Sequence, residues 1–161
     1  MKTRNVYVAS DHAGYDLKSF ILGRWAHGQA SSVAGQTVSW KFVDMGPASD
    51  ARVDYPDFAH AVCRRVLAEA EQQSRGILIC GSGQGMVMAA NRHRGIRAAL
   101  VWNEETTTLS RLHNDANVIC LGARLLDREL MKTIIPAFLD TEFEGGRHLS
   151  RLQKIDATAK G

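Results

Sequence analysis

The chain has 161 residues, of which 45% are hydrophobic and 23% are charged, and its formal net charge is +3. This composition is typical of a soluble globular protein, and the length predicts one domain over residues 1–161. The positive charge comes without a run of Lys and Arg. It therefore does not indicate nucleic-acid binding, although it is compatible with a small anionic substrate.

Neither a membrane helix nor a signal peptide is expected. No apolar run approaches the roughly 20 residues that a membrane span needs, and no signal-peptide pattern opens the chain. The three cysteines, Cys63, Cys80 and Cys120, form no even disulfide framework and no metal-spaced pair. These features predict a cytoplasmic protein, and any one of the cysteines considered alone is most simply an inert buried residue.

Short apolar runs alternate with segments of helical periodicity along the chain. The expected elements, in chain order, are a strand at 5–9, a helix at 14–25, a strand at 39–43, a helix at 54–67, a strand at 76–80, a helix at 85–92, a strand at 97–102, a helix at 106–113, a strand at 117–121, and helices at 128–139 and 148–157. This alternation predicts a five-stranded parallel sheet with helices on both faces. Residues 27–37, rich in Gly, Ser and Gln, predict a long exposed loop that is a tolerated insertion.

Residues able to carry chemistry follow three of the predicted strands. Asp11 and His12 come after the first strand, Cys80 ends the third, and Arg124 follows the fifth. Ligands of parallel sheets bind at the carboxyl ends of the strands, near a switch point in the strand order. We therefore expect these side chains to gather at one edge of the sheet, although Asp11 beside His12 would equally serve as an ordinary helix cap.

Cys80 is followed by the glycine-rich loop 81–85 and then by a predicted helix. The amides at a helix N-terminus favour the thiolate form of a cysteine and can also face an anion. Cys80 is thus a candidate base or nucleophile. The loop is neither a Walker A motif nor a full dinucleotide fingerprint, so a plain strand-to-helix turn is the alternative.

Two further groups lie nearer the C-terminus. His113 and Asn114 end a predicted helix, where a histidine is also a common benign feature. Arg147 and Arg151 are four residues apart, so they share one helix face and would suit a phosphate clamp; a solvated basic helix end is the alternative.

Taken in order, these segments resemble the ribose-5-phosphate isomerase B family, which includes the galactose-6-phosphate isomerase subunits. The matching segments run in family order over nearly the whole chain: 10–14 (SDHAG), 54–56 (DYP), 76–85 (GILICGSGQG), 89–91 (AAN), 95–98 (GIRA), 110–117 (SRLHNDAN), 122–124 (GAR) and 144–148 (EGGRH). No single segment is decisive, but the ordered set is specific.

The resemblance implies a Rossmann-like three-layer αβα sandwich with a five-stranded parallel sheet and a C-terminal helix. It implies aldose–ketose isomerisation of a sugar phosphate, most simply ribose 5-phosphate to ribulose 5-phosphate, through a cis-enediolate. No metal and no cofactor are expected. The implied assembly is a homodimer or dimer of dimers whose active sites lie at a subunit interface, with the His113 segment supplied by the partner chain.

The resemblance also implies roles for individual residues. Cys80 stands at the position of the catalytic base, and the Glu that other members use after the loop is Met86 here. His113 matches the residue that assists ring opening, Asp11 a contact to the ring oxygens, and Ser82 stands where many cysteine-type members carry Thr. The substrate and phosphate contacts expected are His12, Tyr55, Gly81, Gly83, Gln84, Gly85, Asn114, Arg124, Arg147 and Arg151.

Three other functions are weighed against this one. A hexose 6-phosphate isomerase of the allose or galactose type would use the same residues in a roomier pocket. A non-catalytic phosphosugar-binding module needs no base, so Cys80, His113 and Asp11 together argue against it. A dinucleotide-binding protein is disfavoured because the glycine loop follows the third strand rather than the first.

Overall fold

The computed structural model describes residues 2–157. Six strands form one sheet: β1 (Lys2–Ser10), β2 (Gln29–Val33), β3 (Gln36–Asp44), β4 (Arg75–Cys80), β5 (Ala98–Leu100) and β6 (Val118–Gly122). The helices are α1 (Tyr15–Arg24), α2 (Tyr55–Ala68), α3 (Gln84–Ala90), α4 (Glu104–Asn114), α5 (Met131–Asp140) and α6 (Leu149–Ile155). Short 3-10 turns, Arg128–Leu130 and Gly146–His148, precede the last two helices.

The strand order is β2-β3-β1-β4-β6-β5, and five of the six strands are parallel. This confirms the Rossmann-like class and the five parallel strands expected from the sequence. The chain leaves β1 towards β3 on one side and reaches β4 on the other. The switch point in the strand order therefore lies between β1 and β4, where such sheets bind ligands.

The sixth strand corrects the loop expected at residues 27–37. β2 pairs antiparallel with β3, and Val33 pairs with Gln36 across the two-residue turn Ala34–Gly35. Both turn residues have positive φ, 51° and 70°, which is the geometry of a tight hairpin. Alanine is an unusual residue at a position of positive φ, so the sequence carries no clear hairpin signal here.

The sheet has a core on each face, because successive side chains of a strand point to opposite sides. Val6 and Val8 pack with α1 and α5, whereas Tyr7 and Ala9 pack with α2 and α3. The helix layers on both faces complete the three-layer sandwich. Within residues 2–157, no helix combines the length and the apolar character needed to cross a bilayer.

A polar cluster around Glu69, the residue after α2, connects this helix to β1 and to the residue before β4. The Glu69 carboxylate accepts hydrogen bonds from Tyr7 Oη (2.6 Å), Asn5 Nδ2 (3.0 Å) and Ser74 Oγ (2.7 Å), and Arg65 lies 3.2 Å away. These donors stabilise the ionised carboxylate, so they lower the pKa of Glu69 from 4.5 to about 2.

Candidate active site

The ends of β1, β4 and β6 lie side by side at one edge of the sheet. Ser10 pairs with Ile79, and Cys80 pairs with Gly122, which is the last residue of β6. This edge, defined by the residues that follow these three strands, is called the catalytic edge below. It brings together Asp11, His12, Cys80 with its loop, and Arg124, as the sequence predicted.

Cys80 points its sulfur into the turn formed by its own loop. The amide nitrogen of Gly83 donates a hydrogen bond to Cys80 Sγ at 3.1 Å. This hydrogen bond holds the sulfur against the loop. Cys63 and Cys120 are fully buried. Burial raises the pKa of Cys63 to about 12 and also raises the pKa of Cys120.

Gly83 makes this turn possible. Its φ is +77°, and a Cβ on it would lie 2.5 Å from Leu100 Cδ1 and 3.1 Å from the carbonyl carbon of Leu121. Both the left-handed backbone and the lack of space require glycine. α3 begins directly after this turn, and the amides at a helix N-terminus can bind an anionic oxygen.

The loop is held rigidly against β6. The amide of Ala123 donates to Cys80 O (2.8 Å), and the amide of Arg124 donates to Gly81 O (3.0 Å). A Cβ on Gly81 would lie 3.1 Å from the guanidinium of Arg124, so that cation sits directly over the loop. Ser82 Oγ accepts a weaker hydrogen bond from the amide of Gln84 (3.3 Å).

Tyr55 contacts the loop, and Asp11 and His12 follow the neighbouring strand β1. Asp11 is 7% exposed, and its Oδ1 accepts a hydrogen bond from the amide of Gly14 (3.0 Å) in the turn that precedes α1. The N-cap of α1 is Gly14 and has no side-chain cap hydrogen bond, so Asp11 is not the helix cap considered from the sequence. His12 Nδ1 lies 3.3 Å from the carbonyl oxygen of Val53. The Tyr55 ring packs so closely on Gly85 that a Cβ there would be 2.5 Å from its Cζ.

The remaining candidates lie at the opposite edge of the sheet. His113 and Asn114 end α4, which runs back from the carboxyl end of β5 to the start of β6 at Val118. Cys80 is level with Gly122 at the far end of β6. That end lies about 13 Å from Val118 along the strand, at about 3.3 Å per residue. Glu144 N donates to Leu112 O (3.0 Å), which holds the segment bearing Arg147 and Arg151 near the end of α4 as well.

Two residues that the sequence interpretation did not single out as site residues accompany His113. The rings of His113 and His148 stack with centroids 4.4 Å apart, and Glu144 Oε2 lies 3.8 Å and 3.5 Å from their Nε2 atoms. Burial lowers the pKa of His148, and His113 and Arg147 lower it further. The four-residue spacing of Glu144 and His148 was the available signal.

These contacts are ion-pair distances rather than hydrogen bonds, and the buried Nε2 of His148 has no hydrogen-bond partner among residues 2–157. The cluster nevertheless places two imidazoles beside a carboxylate, the groups that proton transfer uses. The ligand atoms of His113, Glu144 and His148 all lie within 4.8 Å of one another, so the same three groups could also bind a divalent metal ion.

The site has the character of an enzyme for small anionic substrates. A thiol, a carboxylate, an imidazole and a guanidinium gather at the switch point of a parallel sheet, beside an amide-rich loop.

Comparisons with known proteins then identify the family. The ribose/galactose isomerase family model matches residues 6–155. Ribose-5-phosphate isomerase B of Escherichia coli is 38% identical over 96% of this chain and 95% of its own length. The chain belongs to the ribose/galactose isomerase family.

Solved structures agree with this assignment. A ribose 5-phosphate isomerase of Thermotoga maritima matches with a TM-score of 0.85 and 41% identity, covering 96% of this chain and 99% of that one. Ribose-5-phosphate isomerase B of Mycoplasma genitalium, solved with bound ribulose-5-phosphate, matches with a TM-score of 0.84 and 41% identity over 98% and 96% of the two chains.

Proposed function

We propose that the chain interconverts ribose 5-phosphate and ribulose 5-phosphate, with Cys80 as the base. The observation that carries the proposal is the sulfur of Cys80 at the end of β4, held by the amide of Gly83 beneath the N-terminus of α3. The matching Mycoplasma genitalium structure contains ribulose-5-phosphate, which supports this pair of substrates.

The proposed chemistry is a proton transfer between neighbouring carbons. After the sugar ring opens, the Cys80 thiolate removes the proton from C2, and the electron pair moves to form the C1–C2 double bond of a cis-enediolate. The carbonyl oxygen becomes an oxyanion, which the amides of the loop can stabilise. A proton then passes from the C2 hydroxyl oxygen to O1, and return of the first proton from sulfur to C1 gives the ketose, with its carbonyl at C2. A preorganised donor to such an oxyanion is typically worth about 3 kcal/mol.

The other residues of the catalytic edge bind and orient the substrate. Asp11 and Ser82 lie beside the loop and fit the hydroxyl groups of the open-chain sugar. His12 and Arg124 carry the positive charge that a phosphate needs. Binding the remote phosphate holds the reacting carbons against Cys80 and lowers the barrier by proximity.

Ring opening requires a second proton-transfer group, and we assign it to His113 of a second copy of the chain. Within one chain, His113 lies at the far edge of the sheet from Cys80. A homodimer, or a dimer of dimers, that places one copy's far edge on the other's catalytic edge would complete the site with His113, Asn114, Arg147 and Arg151.

A cytoplasmic location fits the three free cysteines.

The direct test replaces the base. The Cys80→Ala variant is expected to lose turnover by a factor of about 10²–10⁴, the usual contribution of a positioned base, while still binding ribose 5-phosphate. It should also lose exchange of the C2 proton with heavy water. Cys120→Ala, on the same face of the neighbouring strand, is the matched control and should retain activity. Substantial isomerisation by Cys80→Ala would rule out the proposed base.

The substrate is tested separately. Ribose 5-phosphate is expected to give a higher kcat/KM than allose 6-phosphate or galactose 6-phosphate. A preference for either hexose phosphate would overturn the assignment to the pentose while leaving the isomerase chemistry intact.

A further inference from the structure

A cavity of about 460 Å³ lies at the end of the sheet opposite Cys80. It is lined by Arg4 at the start of β1, Arg75 at the start of β4, Arg97 just before β5, and Arg111 on α4. These four residues define what we call the arginine cavity. The turn residue Ala34 of the β2–β3 hairpin forms part of its rim.

The arginine cavity carries an excess of positive charge. Its lining contains four guanidinium groups but only two carboxylates, Asp115 and Glu142. Asp115 is shared between Arg97 (2.8 Å) and Arg111 (2.8 Å). Glu142 accepts a hydrogen bond from the backbone amide of Ala34. The lining therefore carries an excess of two positive charges, although Glu142 also lies close enough to Arg4 to oppose the lowering of its pKa by burial.

Arg4 shows this imbalance most clearly. It is 7% exposed, and its buried Nε has no hydrogen-bond partner among residues 2–157. Its guanidinium stacks over the ring of Trp40, with Cζ 5.5 Å from the centroid, and Arg75 stacks on the same ring at 4.9 Å. Stacking occupies the face of a guanidinium and leaves the N–H donors in its plane free for other partners. Arg75 uses one of its donors on the carbonyl oxygen of Phe138, whereas the Nε of Arg4 remains available to an anion.

Bringing these cations together without a counter-ion costs free energy. Burial lowers the pKa of Arg75, and the nearby charges of Arg111 and Arg4 lower it further. The same repulsion acts on Arg111, whose pKa is lowered by burial and by Arg97 and Arg4, against the opposing effect of Asp115. A doubly charged anion would relieve this repulsion, and guanidinium groups match phosphate geometry well.

The walls of the cavity add an apolar component. Val33, Val66, Leu67 and Phe143 contribute to the lining beside the arginines. The volume falls in the range of small-molecule sites and exceeds what one inorganic phosphate needs. We propose that the arginine cavity binds a small organic phosphate, with the phosphoryl group on Arg4 and the organic part against the apolar wall.

The first test uses phenyl phosphate as the probe in calorimetry, with Ala34 as the position changed. Ala34 is exposed and has a φ of 51°, a conformation that Asn and Asp adopt more readily than Ala, so both variants should fold. Ala34→Asp adds a negative charge at the rim and should weaken binding about tenfold or more. The isosteric Ala34→Asn should bind as the wild type does. Equal affinities for the two variants would overturn the proposal.

The second test separates the arginine cavity from the catalytic phosphate contacts. Arg4→Met should lose phenyl phosphate binding. Arg147→Met, which removes one of the phosphate contacts proposed for the catalytic site, should keep it. Arg24→Met, at an exposed position outside the cavity, is the charge-matched control and should also keep it. Loss in Arg147→Met with retention in Arg4→Met would assign the probe to the catalytic site and overturn the proposal.

A third arm tests the organic part. Inorganic phosphate should bind the wild type at least about tenfold more weakly than phenyl phosphate, because it leaves the apolar wall unfilled. Equal affinity would show a site for free phosphate rather than for an organic phosphate. An absence of phenyl phosphate binding to the wild type would refute the inference outright.

Discussion

A mixture of two inactive variants should recover activity if the active site forms between two chains. In Cys80→Ala the catalytic edge is disabled, and in His113→Ala the far edge is disabled. Cys80 lies level with the carboxyl end of β6, whereas His113 ends the helix that leads to its amino end. The strand between them is about 13 Å long, so one chain is not expected to bring both residues to the same sugar. Each variant alone should therefore be inactive, while a mixed dimer should contain one intact site.

The size of the recovery follows from symmetry. In a two-fold dimer, random reassembly of equal amounts makes about half of the dimers mixed, and each mixed dimer has one intact site of two, which gives about 25% of wild-type activity. The assay mixes the variants under conditions that dissociate the dimers, reassembles them, and measures ribulose 5-phosphate formation at saturating substrate.

The matched control mixes Cys80→Ala with Asp11→Asn. Asp11 lies on the same edge as Cys80, and its amide donates to the carbonyl of the neighbouring Ile79 (3.0 Å). Both defects then fall within one catalytic edge, so no mixed dimer contains an intact site and no recovery is expected. If the first mixture failed to recover while mixed dimers were demonstrably present, the placement of His113 in the partner's site would be wrong.

Three further predictions concern single residues. Iodoacetamide at pH 8 should label Cys80 and not Cys63, because burial raises the pKa of Cys63 to about 12. Ribose 5-phosphate should protect Cys80 from the reagent. Label found on Cys63 by mass spectrometry would contradict this. Gly83→Ala should destabilise the fold by about 1–2 kcal/mol or more and abolish activity, since its backbone is left-handed, whereas Gly23→Ala, with open space around the added Cβ, should be neutral or stabilising in thermal melts. The folded-state pKa of Glu69, about 2, lies below its ordinary value of 4.5. Its contribution to stability is therefore present above pH 4.5 and is lost as the pH falls towards 2. Glu69→Gln should remove about 2–3 kcal/mol of this pH dependence in urea titrations, and an unchanged profile would show that the carboxylate contributes little.

The parallel strands could be predicted because their signal is local. β4 is buried along its whole length, its residues 76–80 read as an uninterrupted apolar run, and the glycine loop marks its end. β2 could not be predicted in the same way. Its residues Gln29, Ala30, Ser31 and Ser32 are mostly polar, and it becomes a strand only because β3 offers an edge to pair with. Pairing of this kind depends on tertiary context rather than on propensity.

The catalytic edge was likewise predictable, because the carboxyl ends of parallel strands meet wherever the strands do. The positions of individual side chains within it were not. The contact between Tyr55 and Gly85 and that between Arg124 and Gly81 arise from packing that no sequence spacing encodes.

The arginine cavity is the extreme case of the same limit. Arg4, Arg75 and Arg111 are separated by up to about a hundred positions in the sequence, and each alone resembles an ordinary surface residue. Only the shared sheet edge, where β1 and β4 start beside the end of α4, brings them together. A charge cluster assembled from distant segments leaves no run or period in the sequence to detect.

The proposed division of the active site between two chains has a thermodynamic consequence. A substrate that contacts Cys80 of one chain and His113 of another binds the dimer and not the separated chains, so by mass action it must stabilise the assembly. At about a hundred times its dissociation constant, a ligand of this kind contributes about 2.7 kcal/mol for each site. Substitutions at either edge should then weaken both catalysis and substrate-dependent assembly. A substitution confined to the arginine cavity, such as Arg4→Met, should leave both unchanged in the absence of its own ligand.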